Sequence, residues 1–94
     1  MNEKYKELLI HIINKHTPKA SIYLFGSRSQ NRSHPGSDID LALDSGKKIN
    51  MKIISDIIDE ISESDIPFFV DVIDLNAIDE HFRKSIEKDL VTWK

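Results

Sequence analysis

There is no cysteine in this chain of 94 residues. That excludes a disulfide, a thiolate nucleophile and a cysteine-ligated zinc, and it fits a cytoplasmic protein. Long apolar runs are missing as well. The stretch Leu8 to Ile13 is interrupted by His11, and nothing approaches the roughly 18 residues that would cross a bilayer. The charged opening Met1 to Lys6 does not read as a signal peptide, so neither secretion nor membrane insertion is expected. Nor is there a basic excess. The net charge is −3, whereas a domain that grips nucleic acid by its phosphates ordinarily carries positive charge, so direct nucleic-acid binding is not expected. No internal repeat, linker or low-complexity segment is visible, and residues 1–94 read as a single domain.

What is present is an ordinary globular composition, 39% apolar and 31% charged. Tyr5, Leu8, Leu9, Ile12 and Ile13 recur at helical spacing, which predicts an amphipathic helix over about residues 3–15, stopped by Thr17-Pro18. Residues 21–25 are short, apolar and aromatic and predict a strand ending at Gly26. Residues 27–31 predict a short helix, and the run Ser33-His34-Pro35-Gly36 a turn. A second strand is expected over residues 37–43. After a loop at residues 44–48, Asn50 is a candidate N-cap for a helix over residues 51–62, with Ile53, Ile54, Ile57, Ile58 and Ile61 as its inner stripe. Residues 68–75 read as an apolar strand, buried on both faces if central. Asn76 is the expected cap of a last helix, with Asp79 at its third position, and Leu90-Val91-Thr92-Trp93 as an extended tail on the sheet. The order is α-β-α-β-α-β-α.

The chemistry concentrates between Phe25 and Leu43. In a strand over residues 37–43 the period of two puts Asp38 and Asp40 on one face, their Cα atoms roughly 6.5 to 7 Å apart, so both carboxylates can converge on one or two divalent cations. Asp71 stands in the run Phe-Phe-Val-Asp-Val-Ile. Burying it costs several kcal/mol unless it is paired, ligates a metal or reaches a solvent-lined cleft; an exposed edge-strand Asp is the plainer reading. Beside Asp38 and Asp40, a cation would relieve the repulsion among all three. Asp74, the competitor for third place, alternates to the opposite face, where a turn or capping role suits it.

Gly26-Ser27 reads either as a plain strand-to-helix turn with Ser27 as N-cap or as a phosphate site. In the second reading Gly26 admits a ligand close to the backbone, the Ser27 hydroxyl and the following amides face phosphate oxygens, and Arg28 neutralises charge. His11, His16, His34 and His81 share no metal-ligand spacing, and Glu60, Glu63, Lys47 and Lys48 read as solvated charge.

Gly26-Ser27, ten residues, Asp38-Ile39-Asp40 and a later strand bearing Asp71 resemble the signature of the polymerase-beta-like nucleotidyltransferase superfamily. More narrowly, Ser37-Asp38-Ile39-Asp40-Leu41, Val70-Asp71-Val72-Ile73-Asp74-Leu75 and His81-Phe82-Arg83 resemble the minimal nucleotidyltransferases that partner HEPN proteins in prokaryotic toxin–antitoxin pairs. Where members often read Gly-Ser-Arg-Ala-Arg-Gly, this chain holds Ser29, Gln30 and Asn31 in the last places but one charge fewer.

The resemblance implies an α/β (α+β) domain with a three-stranded mixed sheet and helices packed mainly on one face. It implies a site in which Asp38, Asp40 and Asp71 are catalytic and hold two Mg²⁺ ions, or Mn²⁺, while Gly26, Ser27 and Arg28 bind the triphosphate. The implied reaction moves a nucleoside monophosphate, AMP from ATP, onto a tyrosine of a HEPN-type partner, making the chain an antitoxin. Two other classes stay open at this level: a catalytically idle subunit that neutralises its partner by contact, and an unrelated acidic-site phosphohydrolase. A homo-oligomer stays open too.

Overall fold

The computed structural model describes residues 3–26 and 39–94. The expected helix at 27–31, the turn before Gly36 and the position of Asp38 lie outside the described residues.

Helix α1 (Glu3–His16) turns its Leu9, Ile12 and Ile13 inward. It ends as the sequence predicts: the Thr17 amide donates to the Ile13 carbonyl, and Pro18 follows. Strand β1 (Ser21–Phe25) pairs antiparallel with β2 (Ile39–Asp44), which pairs parallel with β3 (Val70–Asp74). The parallel crossover is made by α2 (Met51–Ser62), whose Asn50 cap accepts from the Lys52 amide at 2.8 Å. Helix α3 (Glu80–Glu87) and a two-residue strand β4 (Val91–Thr92) complete the chain.

The sheet order is β3-β2-β1-β4, so among the described residues the sheet has four strands where three were expected. The extended tail supplies the fourth, bound to β1 through Tyr23 and Leu24. Further corrections concern β2, which runs on through Asp44 where Asp44 pairs with Ser21, and the third strand, expected over residues 68–75 and found over 70–74; β3 stands at the end of the described sheet, so the burial expected of a central strand does not apply to it.

Alternation sorts the side chains. Ile22, Leu24, Ile39, Leu41, Leu43 and Val72 face α1 and α2 and form the core with Leu9, Ile13, Ile57 and Ile61. Each such fully buried side chain contributes about 1.5 to 3 kcal/mol relative to exposure. Ile58, expected on the inner stripe, is instead 38% exposed, and Ile49, just ahead of the helix, is buried. Tyr23, Phe25, Asp40, Ala42, Asp44, Asp71 and Ile73 share the other face by register. Among the described residues α3 occupies one end of that face: the Arg83 guanidinium donates to the Leu75 carbonyl at 3.2 Å and lies 4.0 Å from Asp44.

One helix end differs from the sequence reading. Asp79, not Asn76, caps α3, accepting from the Phe82 amide at 2.8 Å. The Asn76 amide is used elsewhere, donating to Asp44 Oδ1 at 2.8 Å. Glu60 is not solvated charge either. It accepts from Lys15 and, at 2.8 Å, from His16, tying α2 to the end of α1, and the Lys15 ammonium first, then His16, holds its carboxyl below the ordinary value of 4.5.

Candidate functional site

At the end of the sheet away from α3 three described chain segments meet. Strand β1 delivers Phe25 and then Gly26, β2 enters with Ile39 and Asp40, and β3 enters with Val70 and Asp71. The Ile39 amide donates to the Phe69 carbonyl at 2.9 Å, which locks the entry of β2 against that of β3. Phe25 is the register partner of Asp40 across the antiparallel pair, and Asp71 is its partner across the parallel one.

That register has a direct chemical result. Adjacent strands lie about 4.8 Å apart, and register partners project to the same face, so the carboxylates of Asp40 and Asp71 are side by side. Asp40 is half-buried and Asp71 exposed. The penalty expected for burying Asp71 therefore does not arise; it is an edge-strand aspartate, placed against a second carboxylate. Two like charges at about 5 Å repel by about 0.8 kcal/mol in water and by several-fold more where the effective dielectric falls to about 20.

Gly26 lies against Asp40. Its φ is +83°, the left-handed region that side chains rarely adopt, and a Cβ built there would stand 2.7 Å from Asp40 Oδ2. The Asp40 carboxylate thus occupies the space a side chain at position 26 would fill. Hard carboxylate oxygens suit Mg²⁺ or Mn²⁺, so the residues present fit a divalent cation. Among the described residues no group of three or more histidine or acidic side chains gathers in metal-binding fashion. Asp40 and Asp71 are the two brought together; Asp38, Ser27 and Arg28 lie outside the described residues.

Asp74 behaves as alternation predicts and takes no part in this pair. It is 6% exposed on the core face, accepting from the Ile49 amide at 2.6 Å through Oδ2 and from the Asn76 amide at 2.9 Å through Oδ1. It anchors the turn after β3 and the loop before α2 together.

Sequence reasoning missed two features. One is Asp44, at the far end of the Asp40 face, whose carboxyl is held below its ordinary 3.8 by hydrogen bonds from the Asn76 side chain and the Gly46 amide, and by nearby Arg83. The continued alternation from Asp38 and Asp40 was the signal for it. The other is Phe69, 79% exposed two residues before Asp71, where it borders a hollow of about 480 Å³ with Ile58, Pro67 and Asp71. No sequence signal separates it from Phe68 beside it, which packs partly buried against the core.

Comparison with known proteins accords with this geometry. Residues 7–92 match the polymerase beta nucleotidyltransferase family. A probable protein adenylyltransferase, MntA, of Haemophilus influenzae is 33% identical over 87 residues, spanning 90% of this chain and 76% of that protein. A crystal structure of a toxin–antitoxin with AMP-PNP superposes with a TM-score of 0.78 at 24% identity, over 93% of this chain and 70% of the other. A second, of an Asp-to-Glu double mutant of the toxin–antitoxin MntA–HpeT, gives 0.77 at 22% identity, over 98% and 71%. At those identities the structural matches speak for the fold, and it is the sequence matches, with β2 and β3 in register behind Gly26, that establish this chain as a minimal nucleotidyltransferase of the polymerase beta family.

Proposed function

We propose that this chain transfers AMP from ATP to a hydroxyl of a partner protein, a tyrosine of a HEPN-type toxin, and serves as the antitoxin of that pair in the cytoplasm. One observation carries the proposal: the pairing of Asp40 with Asp71 across β2 and β3, which sets two carboxylates on one face, Asp71 exposed there. Similarity to a protein named as a probable protein adenylyltransferase supports the reaction, and structural neighbours named as toxin–antitoxin assemblies support the setting. Consistent with the location, no helix of the described residues is long and apolar enough to cross a membrane.

In this reading residues 1–94 act as one catalytic domain. Asp38, Asp40 and Asp71 would hold Mg²⁺, two ions or Mn²⁺ in their place, and the metal would supply neutralising charge on the triphosphate and acidify the acceptor hydroxyl. Gly26 and Ser27 present backbone and hydroxyl donors to the phosphates, and Arg28 offsets their charge. Asp71, exposed on the outermost strand, meets the acceptor and takes its proton as the oxygen bonds to the α-phosphorus. The bond from that phosphorus to the bridging oxygen breaks, and pyrophosphate leaves. The exposure of Asp71 lets the partner complete the cleft and exclude water.

The test is an intact-mass measurement of the protein encoded beside this one after incubation with each nucleoside triphosphate and Mg²⁺. Gain of one adenylyl group, with pyrophosphate released, is expected. Orthophosphate release without a mass gain would make the site a hydrolase. Neutralisation of the partner by contact, with its mass unchanged, would leave the chain an idle binding subunit.

A further inference from the structure

We infer that Gly26 is a positioning residue for Asp40: its missing side chain is the socket that holds the Asp40 carboxylate in its metal-binding orientation. The inference rests on the metal-dependent reading above and adds a residue role to it. An ideal Cβ at position 26 would lie 2.7 Å from Asp40 Oδ2, 3.6 Å from Cγ and 3.7 Å from Cβ. The first distance is one that real Cβ atoms essentially never show, and the other two are ordinary contacts. A methyl group at this position therefore conflicts with one atom, the carboxylate oxygen. That oxygen sits at the end of a side chain with two rotatable bonds, so the conflict is relieved by turning the carboxylate away while the strand stays where it is. The consequence falls on the carboxylate's aim toward a cation, not on the fold.

Backbone strain must be separated from this effect, because φ at Gly26 is +83°. Gly46 provides the control within the same chain. Its φ is +87°, yet a Cβ there would meet nothing within 4 Å. Gly46→Ala thus carries the left-handed strain with no carboxylate in the way of the added methyl group, the Asp44 carboxylate being bonded to the Gly46 amide instead. Gly26→Asn supplies the converse, since asparagine tolerates the left-handed region while still bearing a Cβ.

The experiment titrates Mn²⁺ into the full chain by calorimetry, with melting curves recorded on every variant. Gly26→Ala and Gly26→Asn should each raise the Mn²⁺ dissociation constant at least about tenfold, the usual effect of removing the support of a metal ligand. Gly46→Ala should lower the melting temperature about as much as Gly26→Ala and leave Mn²⁺ affinity unchanged. In an Asp40→Ala background, Gly26→Ala should cause no further loss of Mn²⁺ affinity, because the group it displaces is gone. Wild-type affinity in the two Gly26 variants would overturn the inference alone, as would losses that multiply in the double variant. A wild-type chain that binds no Mn²⁺ would overturn the metal-dependent function and this inference with it.

Discussion

Asp71 and Asp74 are three residues apart on one strand and should respond oppositely to the same chemical change. Replacing Asp74 by Asn keeps its size but turns one accepting oxygen into a donating NH₂. Both oxygens are in use, on the Ile49 and Asn76 amides, and the side chain is 6% exposed, so one backbone N–H ends up facing another donor with little water available. A hydrogen bond to a charged group is worth about 1.5 to 3 kcal/mol, and the stranded donor adds to the loss, for a total of about 2 to 4 kcal/mol. For a domain of this size that lowers the melting temperature by roughly 10 to 30 °C. Asp71→Asn removes a charge facing Asp40 on an exposed strand. Relief of about 0.8 kcal/mol at water's dielectric, less with salt, should leave stability unchanged or raise it by a few degrees when no divalent cation is added. Activity should divide the other way: Asp71→Asn abolishes adenylyl transfer, and Asp74→Asn, assayed well below its melting point, retains it. Melting curves in EDTA and in Mg²⁺, with transfer assays on both proteins, decide the matter. A stable, inactive Asp74→Asn beside an active Asp71→Asn would mean the strand is displaced by one residue, and every face assignment on β3 would invert.

Asp38→Asn with Asp40→Asn should eliminate transfer while circular dichroism shows an intact fold, since like-charge repulsion leaves together with the ligands. Ser27→Ala should weaken nucleotide binding by about 0.5 to 1.5 kcal/mol, the worth of one hydroxyl contact, as read by titration of ATP. Asn76→Ala should move the Asp44 carboxyl back up toward its ordinary 3.8 in a ¹³C NMR titration. Because that carboxyl is depressed in the folded chain, its stabilisation is present above about pH 4 and lost as pH falls through the folded value; the variant should show less acid dependence below pH 4 and lower stability at pH 7. Ile57→Ala empties a fully buried site between α2 and the sheet, and should cost about 2 to 5 kcal/mol in urea denaturation.

Much of the fold was legible locally. Helix α2 and strand β1 occur at the predicted residues, and Asn50 caps as expected, because period and capping chemistry are properties of a few consecutive residues. The cap of α3 was misjudged for a reason of the same kind turned around. Asn76 and Asp79 are both good caps in isolation, and what settled the choice was Asp44, 32 residues away, taking the Asn76 amide. Glu60 escaped for the same reason, its partners Lys15 and His16 lying on another helix.

The amino-acid sequence by itself determined which carboxylates were available, that Asp71 and Asp74 point to opposite faces, and that a glycine ends the first strand, since each follows from the two-residue period or from one residue's conformational range. Only the tertiary structure decided which of those groups meet. The parallel register sets Asp71 beside Asp40, the end position of β3 leaves Asp71 exposed, and the return of β1 lays Gly26 over the Asp40 carboxylate. Strand order and register depend on how α1 and α2 cover the sheet's other face, a balance of burial over the whole domain that no short stretch of residues records.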